Sequence, residues 1–148
     1  MLKSLIMKLS ASASDDTEDK DQAARIAIAA ILIEAAMADG VYAAEEQEQI
    51  QRILKQRFGL SGTEAEALRA RGQEAQSEAT DIVRFTRAVK DAVPYEDRVG
   101  VIEAVWRVVY ADGDRDQYES TLVRKLCGLL YVPDREAGLA RQRVLAGD

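Results

Sequence analysis

Histidine is absent from these 148 residues, and cysteine occurs once. Without imidazole there is no histidine general base, no Ser-His triad and no imidazole ligand for zinc, copper or nickel. The di-iron sites of ferritin-like bundles, built on Glu-x-x-His, are excluded for the same reason. A lone Cys127 can form neither an internal disulfide nor a CxxC redox pair. Positive charge is in deficit: 20 Lys and Arg stand against 26 Asp and Glu, a net charge of −6. Such a surface repels phosphate backbones, which argues against nucleic acid, and favours cations or basic protein surfaces. Long apolar runs are missing too. The richest stretch, residues 23–38, is interrupted by Arg25 and Glu34 and falls short of the ~20 residues a membrane span needs. Residues 1–9 set Leu2, Leu5, Ile6 and Leu9 among Lys3 and Lys8. That segment is amphipathic and lacks the continuous apolar region of a signal peptide.

What is present suits one folded domain. Hydrophobic residues make up 47% and charged residues 31%. A chain of this size can bury roughly 70% of its unfolded surface, enough for one core. The expected division is an N-terminal amphipathic segment and acidic linker over 1–22, then a helical domain over 23–148. Residues 10–21 are rich in Ser, Ala and Asp and read as a linker. Residues 23–38 predict a central, nearly all-apolar helix. Residues 45–58 predict an amphipathic one, with Ile50, Ile53, Leu54 and Phe58 at 3/4 spacing. Ser61 and Glu64 have capping-box spacing and open a third helix carrying Leu68 inward. Ser77 is the expected cap of a fourth, with Ile82, Phe85 and Val89 on one face and Pro94 at its end. Residues 99–111 are β-branched enough for a strand. Their length and the Glu103/Arg107 i,i+4 pair favour a helix. Leu122, Val123, Leu126, Cys127 and Leu130 line a sixth helix, and Val132-Pro133 starts a last one to about Leu145. The fold class is all-α: a compact bundle of about seven helices with an internal pseudo-two-fold repeat, plus a short N-terminal helix. Cys127, Trp106 and Tyr110 read as core, and Arg124-Lys125 as surface.

The repeat rests on a motif. Ala-Asp-Gly-x5-Glu occurs at Ala38-Asp39-Gly40 with Glu46, and again 73 residues on at Ala111-Asp112-Gly113 with Glu119. At this offset Ile28 matches Val101, Leu32 matches Val105, Ile33 matches Trp106, Ala36 matches Val109, Met37 matches Tyr110 and Ile50 matches Val123. Two roles are open for it. Gly40 and Gly113 can end a helix in the left-handed conformation, and Glu46 and Glu119 fall at N3 of the next helix, where a carboxylate caps. On that basis each motif is only a helix joint. Asp39 and Asp112 fit it less well, because a helix C-terminus disfavours an anion and asks for a compensating partner. The frame resembles half an EF-hand loop, but the first ligand positions would be Ala35 and Met37, or Val108 and Tyr110, which cannot coordinate. If the repeats face each other, Asp39, Glu46, Asp112 and Glu119 form a candidate metal set. Four carboxylates suit a hard cation, Ca²⁺ or Mg²⁺.

The paired motifs, with Glu96-Asp97-Arg98, Asp81-Ile82-Val83-Arg84-Phe85-Thr86 and Leu129-Leu130-Tyr131-Val132-Pro133-Asp134-Arg135, resemble the TerB family linked to tellurite resistance. The resemblance covers about residues 23–144. It implies an all-helical domain with a pseudo-symmetric acidic site for a divalent cation, in bacterial stress response, with protein partners or membrane association. Ala43 stands where the family often has a Ser or Thr cap. The resulting expectation is a non-enzymatic, cation-binding adaptor in the cytoplasm, with residues 1–9 a candidate for peripheral contact with the inner membrane. The alternatives are a protein-interaction domain whose acidic motifs only cap helices, and a metal-dependent hydrolase.

Overall fold

No proline or glycine interrupts residues 2–37, and in the computed structural model one helix, α1 (Leu2–Met37), runs through all of them. The structure describes residues 2–38, 42–111 and 121–147, with side chains from residue 17 onward. The expected linker at 10–21 is therefore helix, continuous with the first core helix, and the separate N-terminal helix is its first turns. Ser and Asp are weak helix formers, but a helix nucleated in the core propagates until something breaks it. At 1.5 Å per residue, α1 is roughly 54 Å long. Residues 17–23 of α1 are exposed, and Ala24 is buried.

Ile28, Ile31, Leu32 and Ile33 are fully buried, each worth about 1.5–3 kcal/mol on transfer from water. Around them lie α2 (Ala44–Phe58), α3 (Gly62–Glu78) and α4 (Val83–Ala92), all in contact with α1. A short 3₁₀ turn (Tyr95–Asp97) leads into α5 (Arg98–Val109), which also touches α1 and buries Val101, Ile102, Val105, Trp106 and Val108. The chain then returns as α6 (Thr121–Leu130) and α7 (Asp134–Leu145), both against α5. Among the described residues this is an all-α bundle of seven helices, the class that periodicity indicated. α1 and α5 share the centre, and one core joins all seven helices.

Local chemistry explains the joints. Ser61 and Glu64 form the reciprocal capping box: Glu64 N–H donates to Ser61 Oγ at 3.1 Å, and Ser61 N–H to Glu64 Oε1 at 2.9 Å. Ser77 caps nothing. It lies inside α3 and donates to Glu74 O, while Asp81 Oδ1 accepts the Val83 N–H at 2.9 Å and opens α4. α2 and α6 end alike, with Leu60 N–H donating to Lys55 O and Val132 N–H to Cys127 O, both at 3.0 Å. The left-handed residue between is Gly59 (φ 61°) in one and Tyr131 (φ 60°) in the other.

The closest approach is between α1 and α3. A Cβ placed on Gly72 would stand 2.5 Å from Ala29 Cβ and 3.0 Å from the Ala29 and Ala30 backbone. Glycine on one helix and alanines on the other let the backbones touch.

Candidate functional site

The two repeated motifs sit where α1 and α5 end. Ala38 N–H donates to Ala35 O at 3.4 Å, and at the equivalent place Ala111 N–H donates to Val108 O at 3.1 Å. Both helices thus tighten their last turn in the same way before the acidic residue. Ile28 and Val101, Leu32 and Val105, Ile33 and Trp106, and Ile50 and Val123 are all buried as matched pairs. Met37 and Tyr110 diverge: the first is exposed and the second buried.

Of the four proposed ligands, Asp39, Asp112 and Glu119 lie outside the described residues, as do Gly40 and Gly113. Glu46 is described, and it is unusual: a carboxylate only 7% exposed. It occupies the first turn of α2, where unpaired backbone N–H groups and the helix dipole favour an anion. Oε1 accepts the Ala43 N–H at 3.3 Å, while Ala43, lacking a hydroxyl, offers nothing in return. Beside it, Tyr42 is half-buried, and its hydroxyl is buried with no hydrogen-bond partner among the described residues. No cluster of three potential metal ligands occurs among the described residues.

Next to the second motif, Tyr110 stacks on Trp106 with ring centroids 5.7 Å apart. Arg141 of α7 lies 5.3 Å above the Trp106 ring and donates from Nε to the Tyr110 hydroxyl at 2.8 Å. This arginine, 31 residues beyond Tyr110 in sequence, gave no sequence signal, because only the fold brings α7 against α5. The expected Glu103–Arg107 pair forms at 3.2 Å, and Arg143 joins the same carboxylate at 3.1 Å.

Arg98 explains why its motif accompanies the one around Tyr131. Its guanidinium donates to Lys90 O and Val93 O at the end of α4 and to Leu130 O at the end of α6. One side chain at the start of α5 thus serves the carbonyl ends of two other helices. Cys127 is buried on α6, and burial, with Asp134 nearby, pushes its thiol up to about 11. It is no nucleophile at neutral pH. No helix among the described residues is long and apolar enough to cross a membrane.

Fold and sequence together define a helical domain in which two central apolar helices, α1 and α5, end alike before the same acidic motif. The family described as "Tellurite resistance protein TerB" matches residues 25–142, and the chain belongs to it. It is a tellurite-resistance-associated, TerB-like module. No curated protein and no solved structure matches the chain.

Proposed function

We propose that this domain is a non-enzymatic adaptor of the bacterial stress response whose acidic joints take up a divalent cation, Ca²⁺ or Mg²⁺. The observation that carries the proposal is the doubled acidic motif, which follows the matched ends of α1 and α5 and whose one described ligand candidate, Glu46, is a buried carboxylate. Asp39, Asp112 and Glu119 are the proposed companions of Glu46, supplied by the same motif frame. A hydrated cation would also give the buried Tyr42 hydroxyl a water partner. Cation uptake would couple to the setting of the helices that follow each joint, and so to the surface offered to a protein partner in the cytoplasm.

A second proposal is favoured by the Ala43 N–H bond itself: Glu46 serves as a helix cap, and the module binds partners without metal. Thermal denaturation with and without Ca²⁺, Mg²⁺ or Mn²⁺ separates the two. A cation held only by the native state, at a hundred times its Kd, adds about 2.7 kcal/mol. A melting temperature unmoved by all three ions favours the cap.

A further inference from the structure

On this acidic chain, two guanidinium groups of α2 and one of α5 line a single cleft. α2 contributes Gln49, Arg52, Gln56 and Arg57, and α5 contributes Glu103 and Arg107, over a floor that includes Ile53 and Ala104. The cleft has a volume of about 560 Å³, in the range of small-ligand sites. Arg107 is held by Glu103 at 3.2 Å, and Arg52 donates to Gln49 at 2.8 Å. Arg57 is different. It is half-buried, yet makes no hydrogen bond or ion pair with any described residue. Burial pulls its pKa below the usual arginine range, and only the more remote charge of Asp97 offsets this. That guanidinium lies 6.0 Å from the centre of the Phe58 ring, and none of its five donors is committed to an acceptor among the described residues. Gly100 makes the room: a Cβ there would stand 3.2 Å from Arg57 Nη1.

The repeat shows that this cleft is a departure from the shared frame. At the 73-residue offset, Gln49, Ile53, Gln56 and Arg57 correspond to Leu122, Leu126, Leu129 and Leu130. Those four leucines belong to or pack against the common core. Gly100, Glu103, Ala104 and Arg107 likewise correspond to Ala27, Ala30, Ile31 and Glu34, of which the first three are buried. Where α6 and α1 carry mainly apolar side chains at the equivalent positions, α2 and α5 line the cleft with arginine, glutamine and glycine.

We propose that the cleft between α2 and α5 binds a small phosphorylated, hydroxyl-bearing metabolite, with its phosphate on Arg57 and Arg52 and its hydroxyls on Gln49 and Gln56. The planar guanidinium fork matches phosphate oxygens in pairs, and the two carboxamides suit a polyol. The lining holds no aromatic ring on which a nucleobase would stack, so a sugar phosphate fits better than a nucleotide. This site is separate from the acidic joints and does not depend on their binding a cation.

The test is an NMR titration of the intact chain with ribose 5-phosphate, inorganic phosphate and ribose, observing arginine Nε–H signals. Ribose 5-phosphate should shift Arg57 and Arg52 saturably, phosphate should shift the same signals more weakly, and ribose should shift neither. Arg57→Gln should weaken ribose 5-phosphate by about tenfold or more, the scale of a lost charge-assisted bond. Lys125→Gln, at the place equivalent to Arg52 in the other copy, should leave binding unchanged. If Arg57→Gln fails to fold by its own spectrum, Arg52→Gln carries the same comparison. No saturable shift into the millimolar range, shifts confined to other residues, equal binding of ribose, or undiminished binding by the folded variants would each overturn the proposal.

Discussion

Gly72 is the residue whose replacement the fold should tolerate least for its size. Alanine is the better helix former by ~1 kcal/mol, so in an exposed helix Gly72→Ala would stabilise. Here the new Cβ meets Ala29 Cβ at 2.5 Å and backbone at 3.0 Å, and neither contact is the end of a flexible chain. Forced overpacking costs about 1–3 kcal/mol, enough to reverse the sign. Gly72→Ala is expected to lower stability by about 2 kcal/mol in urea denaturation, and a stabilised variant would show that α1 and α3 can move apart freely. Sequence gave no hint of this contact, because a lone glycine in a helical pattern looks like a simple defect. Arg57 was equally silent: its place in a cleft exists only once α2 and α5 are adjacent. Glu103–Arg107, by contrast, was legible, since both residues share one helix face.

At the scale of elements, the capping box is the clearest local instruction. Ser61→Ala removes the acceptor of the Glu64 N–H and should cost about 1 kcal/mol of stability. The Ser61 backbone N–H, then its hydroxyl, hold the Glu64 carboxyl below its usual range. A depressed native pKa means stability that is full above the unfolded-state value and fades as pH falls through the native one. The parent should therefore lose its advantage over Glu64→Gln on acidification from pH 7 to about pH 3, and a constant gap would contradict the assignment. Helix ends of this kind were readable wherever cap and helix are neighbours, as at Ser61 and Pro133. Ser77 misled because α3 continues through it, and the Asp81 carboxylate instead accepts the Val83 N–H at the start of α4. Residues 10–21 misled through composition: a polar stretch without glycine or proline remains helix when a buried helix follows it.

For the whole molecule, the repeat organises everything. Two apolar helices, α1 and α5, share the centre, end with the same tightened turn and are followed by amphipathic partners that close with the same C-terminal bond. The all-α class and the family were legible in the sequence because the repeat is carried by large apolar positions. The function was less so, because what a carboxylate does depends on what it approaches, and Asp39, Asp112 and Glu119 lie outside the described residues. Residues 17–23 are exposed, and on that ground the N-terminal part of α1 is expected to be dispensable for folding. Deleting residues 1–20 should change the melting temperature little, whereas a large drop would mean that Leu2, Leu5, Ile6 and Leu9 complete the core. The central claim, that the acidic joints take a divalent cation, meets its most direct test at Glu46. Glutamine at N3 still accepts the Ala43 N–H, so Glu46→Gln preserves the cap and removes the charge. Calorimetric titration of the parent and Glu46→Gln with Ca²⁺ and Mg²⁺ should show saturable binding by the parent and its loss in a variant that remains folded. Absence of binding by the parent, or equal binding by both, would contradict the account.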